Sequence, residues 1–208
     1  MSNSRSYAEF FISESEEAST ARRRAADLGC TPIGAGGATA LTFLAAAVQA
    51  KAVVEIGTGA GVSGLALLAG MTADGILTSI DVEAENQRAA KLAFTEAGVA
   101  GARTRLINGR ALEVLPRLTD GAYDLVHVDA AKSEYGLYVT EAIRLLRPGG
   151  VLAVDNALWH DKVADPTQRD AETVAVREAG RMIREDESLV PVLIPLGDGL
   201  LAAVKRPR

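Results

Sequence analysis

The sequence is short of the residue types that mark several functional classes. It has one cysteine, Cys30, among 208 residues, so an internal disulfide is excluded and a reducing compartment is expected. We interpret Cys30 as a small buried or half-buried side chain rather than a catalytic thiol, because no partner for a thiolate is suggested. Basic residues do not outnumber acidic ones: 22 Lys and Arg stand against 27 Asp and Glu, for a net charge of −5. This balance argues against a nucleic-acid partner.

No stretch predicts insertion into a membrane or export. The longest apolar run, 38–50, is too short to span a bilayer and contains Thr39, Thr42 and Gln49. The first five residues lead into an acidic segment rather than an apolar signal sequence. We therefore expect a cytoplasmic protein with no membrane partner.

The composition is that of an ordinary globular protein, with 48% apolar and 24% charged residues. The length predicts one domain, 1–208, in which residues 1–28 form an N-terminal helical extension.

From residue 51 onward, short aliphatic segments alternate with helical periodicity. The predicted strands are 51–56, 76–81, 104–107, 123–129, 150–154, 192–195 and 200–205. The predicted helices are 38–49, 62–71, 84–97, 111–118, 134–146 and 171–187. This alternation predicts an α/β fold, a Rossmann-like, doubly wound sheet of seven mostly parallel strands. Gly197-Asp198-Gly199 predicts a hairpin turn, which makes the last strand antiparallel to its neighbour.

The stretch 53–64 contains a buried strand, four glycines and the start of an apolar helix. Such a turn directs free backbone N–H groups and the positive end of a helix at one place, where a polar ligand group can bind. Residues 59–64 match the dinucleotide fingerprint literally, but an isolated match is weak support. Asp81, at the end of the second strand, suits a ribose diol or the cap of the next helix. Nicotinamide cofactors and S-adenosylmethionine are both candidate ligands.

Polar residues also end the later strands. Asp129 and the pair Asp155-Asn156 end neighbouring strands, so their oxygen atoms are expected at one edge of the sheet. Two carboxylates and a carboxamide suit Mg²⁺ or Ca²⁺ rather than Zn²⁺. Lys132, three residues after Asp129, is placed to direct its amine at the same point and to act as a general base.

Five motifs together resemble the cation-dependent O-methyltransferases, the family of catechol and caffeoyl-CoA O-methyltransferases and their bacterial relatives. The resemblance covers about residues 30–205. The motifs are Val54-Glu55-Ile56-Gly57-Thr58-Gly59, Ser79-Ile80-Asp81, Val128-Asp129-Ala130-Ala131-Lys132, Val154-Asp155-Asn156-Ala157-Leu158-Trp159 and Ile194-Pro195-Leu196-Gly197-Asp198-Gly199-Leu200.

The resemblance implies a class I methyltransferase fold and a role for each matched residue. Mg²⁺, or another divalent cation such as Mn²⁺ or Ca²⁺, would bind Asp129, Asp155 and Asn156. Lys132 would be the catalytic lysine, with Asp129 beside it, and Lys132, Trp159 and His160 would contact the substrate. The residues implied for S-adenosylmethionine are Ile33, Glu55, Gly57, Thr58, Gly59, Ser63, Asp81, Val82, Gly109, Arg110, Ala111 and Asp129.

The implied reaction is methyl transfer from S-adenosylmethionine to one hydroxyl of a catechol-like aromatic molecule. The implied assembly is a homodimer, with residues 1–28 packed across a two-fold axis. Two alternatives are a nicotinamide-dependent oxidoreductase, from the literal glycine fingerprint, and a non-catalytic protein of the same fold.

Several positions carry open interpretations. Many family members have Asp where this chain has Ala131 and Asn where it has Glu134, and both positions flank the metal and the substrate. Trp159 is as compatible with a core aromatic as with a pocket wall. His160 also suits the surface, and His127 is expected to point into the packed sheet rather than to act as a base.

Overall fold

A computed structural model describes residues 3–207 and contains the predicted seven-stranded sheet. The strands lie in the order β3-β2-β1-β4-β5-β7-β6, and β7 alone is antiparallel to its neighbours. Strands buried on both faces need long aliphatic runs, and the central strands have them. The strands are β1 Ala52–Ile56, β2 Ile76–Asp81, β3 Thr104–Asn108, β4 Tyr123–Val128, β5 Leu146–Val154, β6 Leu189–Ile194 and β7 Leu200–Lys205.

Two strands begin earlier than the sequence predicts. β5 starts at Leu146 rather than at residue 150, with a register shift where it pairs with Tyr123 and Leu125 of β4. β6 starts at Leu189 rather than at residue 192, although Pro191 lies within it. Proline is tolerated there because β6 is the edge strand of the sheet.

Within residues 3–207, eight α-helices connect and flank these strands. A short 3₁₀ turn at 115–117 replaces the end of the predicted helix 111–118, and another at 132–134 leads into α7. The helices are α1 Asn3–Glu9, α2 Glu16–Asp27, α3 Ala35–Ala47, α4 Val62–Gly70, α5 Ala84–Glu96, α6 Ala111–Val114, α7 Tyr135–Leu145 and α8 Ala171–Glu185.

The predicted N-terminal extension consists of two helices, α1 and α2, and its residues 1 and 2 lie outside the described part, as does residue 208. Ser15 begins α2, where its side chain accepts a hydrogen bond from the backbone N–H of Ala18 at 3.2 Å. The first predicted helix, 38–49, begins earlier than expected, because α3 starts at Ala35 and includes Gly36 and Gly37.

The helices form a layer on each face of the sheet, and each layer covers its own apolar core. Alternate residues of one strand face opposite layers, since successive side chains of a strand point to opposite faces. Val53 packs with the cluster under α3, α4 and α5, whereas Val54 packs with the cluster under α7 and α8. The carboxyl ends of β1, β2, β4 and β5 therefore meet at one uncovered edge, and the predicted site residues lie there.

In the part of the chain that the structure describes, no helix is both long and apolar enough to cross a membrane.

Candidate active site

The ends of β1 and β4 approach each other at Gly57. A Cβ atom on Gly57 would stand only 1.9 Å from the carbonyl oxygen of Asp129, and the backbone of Gly57 has a positive φ of +97°. Only glycine adopts this conformation readily and leaves this space. The glycine turn therefore brings the start of the predicted cofactor region against Asp129, the first predicted metal ligand.

A cavity of about 440 Å³ opens at this edge of the sheet. Every residue predicted to bind the cofactor lines it except Glu55, including residues as distant in sequence as Ile33 and Ala111. The turn 57–61 and the N-terminus of α4 form its floor, and Gly61 precedes α4 with a φ of +92°. Helix N-termini carry partial positive charge and free N–H groups, so this floor favours the polar end of a ligand.

Asp81 is held in place at the cavity wall. One carboxylate oxygen accepts a hydrogen bond from the backbone N–H of Gly59 at 2.9 Å, and the other accepts one from the N–H of Glu83 at 2.9 Å. The Asn86 amide donates to both oxygens. Helix α5 follows Glu83 as its N-cap, so Asp81 is not the cap of that helix. Its carboxylate instead ties the glycine turn to the end of β2.

Glu55 lies beneath the cavity rather than in its wall. Its fully buried carboxyl group accepts hydrogen bonds from Ser63 and Ser79, and Ser79 also contacts Thr58 at 2.7 Å. Burial raises the pKa of Glu55 to about 7, and the nearby carboxylates of Asp129 and Asp81 add to this rise against the two serine hydrogen bonds. Glu55 thus contacts the first turn of α4 through Ser63 and reaches the glycine turn through Ser79 and Thr58.

Cys30 also lines the cavity, half-buried, with its thiol 3.3 Å from the Asn86 carbonyl oxygen. Burial, followed by the charge of Asp81, raises the pKa of this thiol. A raised pKa disfavours the thiolate, so Cys30 does not have the character of a nucleophile.

Lys132 and Asp129 meet as predicted. The Nζ atom of Lys132 lies 3.0 Å from Oδ1 of Asp129 and donates at 2.6 Å to the hydroxyl of Tyr135. That hydroxyl donates in turn to the backbone carbonyl of Asp155 at 3.2 Å. Burial, followed by the charges of Asp129 and Asp155, raises the pKa of Tyr135 well above its usual value, so the phenol keeps its proton. Tyr135 thus links Lys132, the candidate general base, to the backbone of Asp155, the second predicted metal ligand.

Asp155 is almost fully buried and Asn156 lies beside it in a left-handed conformation, with φ of +57°. The Asn156 amide N–H donates to Oδ2 of Asp198 at 3.2 Å, which directs its N–H group toward the hairpin. Burial, followed by the charge of Asp129, raises the pKa of Asp155 well above its usual range. Two carboxylates that repel each other in a buried site, next to an oriented carboxamide, form a donor set that suits a hard dication.

No group of three or more His, Cys, Asp or Glu residues among residues 3–207 is arranged to hold a metal ion. The predicted set contains two such residues and an asparagine, so the metal site is a prediction that rests on the chemistry of its donors.

Trp159 and His160 follow the predicted ligands on a turn of unusual backbone. Trp159, His160 and Asp161 all have positive φ, between 46° and 64°, which is uncommon for residues other than glycine. The centre of the Trp159 ring lies 5.5 Å from Lys132 Nζ, and this partly buried side chain also packs against the apolar core under α7 and α8, so it is both a core aromatic and a neighbour of Lys132. His160 is exposed, and its backbone N–H donates to Asp198 at 2.7 Å. His127 is fully buried in the sheet, as expected.

The two positions that depart from the family pattern both line the cavity. Ala131 adds no polar group, whereas Glu134 forms an ion pair with Arg110 at 3.0 Å and accepts a hydrogen bond from Tyr138. The cavity wall at Glu134 thus carries a carboxylate held by two partners.

The sequence did not predict that Tyr135 binds Lys132, that Asp198 binds Asn156 or that Ser79 binds Glu55. The position of Asp198 between two glycines of a predicted hairpin is a pattern that could have indicated its role. Tyr135 follows Lys132 by three residues, a spacing that brings side chains together on a helical turn.

Comparisons with known proteins relate this chain to O-methyltransferases. A sequence profile described as O-methyltransferase matches residues 3–206. A protein of Mycolicibacterium vanbaalenii with an inferred O-methyltransferase function is 56% identical over 199 residues, which cover 96% of this chain and 88% of that protein. A crystal structure of a Corynebacterium glutamicum protein superposes with a TM-score of 0.90 at 34% identity and covers 98% of this chain and 96% of its own. The O-methyltransferase TomG from Streptomyces achromogenes, which acts in tomaymycin synthesis and was crystallised with S-adenosylmethionine, has a TM-score of 0.86 at 30% identity, with 97% and 95% covered.

We expect the buried Glu55 to make stability depend on pH. Its pKa is about 7 in the folded protein and 4.5 in an unfolded chain, so between these values the unfolded state loses the proton first. The free energy of unfolding of the wild type should fall relative to Glu55→Gln as pH rises from 4.5 to 7, by about 3 kcal/mol, and then level off. Urea unfolding of both proteins across this range measures the difference. A difference that does not change with pH would contradict a buried, neutral Glu55.

Proposed function

This chain belongs to the O-methyltransferase family, and we propose that it methylates one hydroxyl of an ortho-dihydroxy aromatic molecule with S-adenosylmethionine and a divalent cation, Mg²⁺ first. Its seven-stranded sheet, with only the last strand antiparallel, is that of the class I methyltransferases. The observation that carries the proposal is the position of Asp129. It lines the cofactor cavity and also contacts Lys132, next to Asp155.

The methyl donor is assigned to the 440 Å³ cavity. The floor of backbone N–H groups suits the amino-acid end of S-adenosylmethionine, and the carboxylate of Asp81 suits the two hydroxyls of its ribose. Gly109, Arg110 and Ala111 lie along the same cavity and would border the adenine. Family membership and the likeness to TomG, which binds S-adenosylmethionine, favour this donor over a nicotinamide dinucleotide.

The divalent cation is assigned to Asp129, Asp155 and Asn156. Their donor chemistry fits a hard cation, and Asp198 holds the Asn156 amide by its N–H group. A bound cation would lower the pKa of a chelated hydroxyl and so supply an oxyanion at neutral pH.

The chain's own residues would move the proton and position the acceptor. Lys132 would take the proton from the reacting hydroxyl at Nζ, which Asp129 and the Tyr135 hydroxyl hold within 3.0 Å and 2.6 Å. Tyr135 stays protonated, so it orients Lys132 without competing for the proton. Trp159 would flank the aromatic ring, and His160 would border the entrance. Methyl transfer then needs no covalent enzyme intermediate, and catalysis depends on position and charge.

A homodimer is the second part of this proposal. The N-terminal segment exposes Tyr7, Phe10, Phe11 and Ile12, each more than half exposed, and the rings of Tyr7 and Phe11 are 5.7 Å apart. An apolar patch of this kind is typical of an interaction surface. A second copy of the chain is the proposed partner, and a cytoplasmic location is proposed with it.

Removal of the cation should abolish methyl transfer. We expect excess chelator to lower the rate at least about 100-fold and added Mg²⁺ to restore it, because both the acceptor's position and its charge depend on the cation. Asp155→Asn should lower the rate to a similar extent and raise the Mg²⁺ concentration needed for half-maximal rate. Methylation of a catechol with radiolabelled S-adenosylmethionine measures both effects.

The matched control is Asp74→Asn. Asp74 is an exposed acid just before β2, at the opposite edge of the sheet, so this variant should keep the wild-type rate. A wild-type rate in the presence of chelator, together with an active Asp155→Asn, would exclude the metal role. Binding of S-adenosylmethionine without methylation of any diphenol, with Mg²⁺ present, would indicate a non-catalytic member.

Light scattering tests the dimer. We expect twice the chain mass of 21.7 kDa, and a shift toward the monomer when Phe10 and Phe11 are replaced by serine. Phe43→Ser, at an equally exposed phenylalanine of α3, is the control and should remain dimeric. A monomeric wild type under conditions of methyl transfer would contradict the proposal.

A further inference from the structure

Glu9, the last residue of α1, is a buried acid far from the rest of the site in sequence. Its side chain is on the inner face of α1, and the residue is 6% exposed. One carboxylate oxygen accepts a hydrogen bond from the backbone N–H of Gly36 at 3.0 Å, and the other accepts one from the N–H of Gly197 at 2.7 Å. A single side chain therefore joins three separate segments: α1, the start of α3 and the turn between β6 and β7.

The residues around the Glu9 carboxylate leave room for it only because they are glycines. A Cβ atom on Gly34 would stand 2.5 Å from one carboxylate oxygen, and a Cβ atom on Gly36 would stand 2.7 Å from the other. Gly34 and Gly36 thus form a socket for the Glu9 carboxylate.

The first contact of Glu9 stabilises the segment that covers the cofactor cavity. Gly34 is the N-cap of α3 and offers no side-chain acceptor, so Glu9 supplies one from another helix. A negative charge at a helix N-terminus is also favoured by the helix dipole. Ile33, a wall of the cavity, directly precedes this cap.

The second contact stabilises the hairpin that holds the metal side of the site. Gly197 is followed by Asp198, whose two carboxylate oxygens accept hydrogen bonds from the Asn156 amide and from the backbone N–H of His160. The backbone carbonyl of Asp198 also accepts from the N–H of Leu158 at 2.8 Å. These bonds hold the left-handed turn at Trp159 and His160.

We propose that Glu9 is a positioning residue of the active site, which fixes the cofactor-covering segment and the ligand-holding hairpin relative to each other. Through Gly36 it sets the position of Ile33 over the methyl donor. Through Gly197 and Asp198 it sets the position of Asn156 and Trp159 at the acceptor. Helix α1 thus contributes to the geometry of the active site through Glu9.

Trp159 is the only tryptophan in the sequence, so the intrinsic tryptophan fluorescence reports directly on the turn at Trp159 and His160. In Glu9→Gln, an amide N–H group would face one of the two backbone N–H donors and break that contact. We expect acrylamide to quench Trp159 about twofold more strongly in folded Glu9→Gln than in the wild type, because the turn opens locally. Glu16→Gln, at an exposed acid of α2, is the control and should match the wild type.

A second variant tests the path from Glu9 to Trp159. Asp198→Asn breaks the downstream link and should raise the quenching to at least the same extent. The double variant should then equal Asp198→Asn alone, because coupled residues are not additive. Wild-type quenching in folded Glu9→Gln, or additive effects in the double variant, would overturn the proposal. If circular dichroism shows that Glu9→Gln does not fold, Glu9→Asp, which keeps the charge but is too short to bridge both amides, carries the same test.

The catalytic consequence rests on the proposed function and has a separate readout. We expect Glu9→Gln to raise the KM for S-adenosylmethionine roughly tenfold, equivalent to about 1.4 kcal/mol of lost binding, while Glu16→Gln does not. Fluorescence needs neither a methyl acceptor nor a metal. A fluorescence change in a protein that methylates nothing would therefore leave the Glu9 inference intact and contradict the proposed function. An unchanged KM in an active enzyme whose fluorescence has changed would overturn the catalytic part.

Discussion

The close contact between Gly57 and the backbone of Asp129 is the constraint on which the rest of the site depends. Parallel strands carry their carboxyl ends to one edge of a sheet, but side chains normally keep those ends apart. The absence of a side chain at Gly57 lets the cofactor turn after β1 lie directly against the end of β4. Asp129 therefore lines the cavity assigned to the methyl donor and also lies near Asp155, the second proposed metal ligand. A methyl donor and an acceptor need this proximity to react in line.

The second feature on which the site depends is a group of carboxyl side chains that lie close together in buried or nearly buried positions. Glu55 and Asp155 are both buried near Asp129, whose charge adds to the rise that burial causes in the pKa of each. The structure limits the cost of ionising these carboxyl groups in two ways. It keeps Glu55 beneath the turn, with hydroxyl donors from Ser63 and Ser79, and it places Lys132 against Asp129. A dication at Asp129 and Asp155 would remove most of the remaining repulsion, which connects the electrostatics of the site with its proposed chemistry.

Most of the fold and much of the site were predictable, because they follow from local patterns. The strand–glycine–helix unit predicted the floor of the cavity, and the acids at strand ends predicted its rim. Glu55 was expected in the cavity wall, yet it lies on the same strand face as Val53 and points toward the layer of α3, α4 and α5, where Ser63 of α4 binds it. The contacts of Glu9 were beyond sequence reasoning, since they join residues 27 and 188 positions apart. The same contacts account for Gly34 and Gly36 at the start of α3, because the Glu9 carboxylate occupies the space of their side chains, although glycine is a poor helix former.

We propose that Asp129, Asp155 and Asn156 select the acceptor, because the cation that they would bind holds two adjacent hydroxyl oxygens. The most direct test is to compare catechol with resorcinol, whose hydroxyls are in the meta position, using radiolabelled S-adenosylmethionine and Mg²⁺. The two molecules have the same size and hydroxyl count, but only the adjacent hydroxyls of catechol can both bind one cation. We predict that catechol is methylated and resorcinol is not. Equal methylation of both, unchanged by chelator, would contradict the claim.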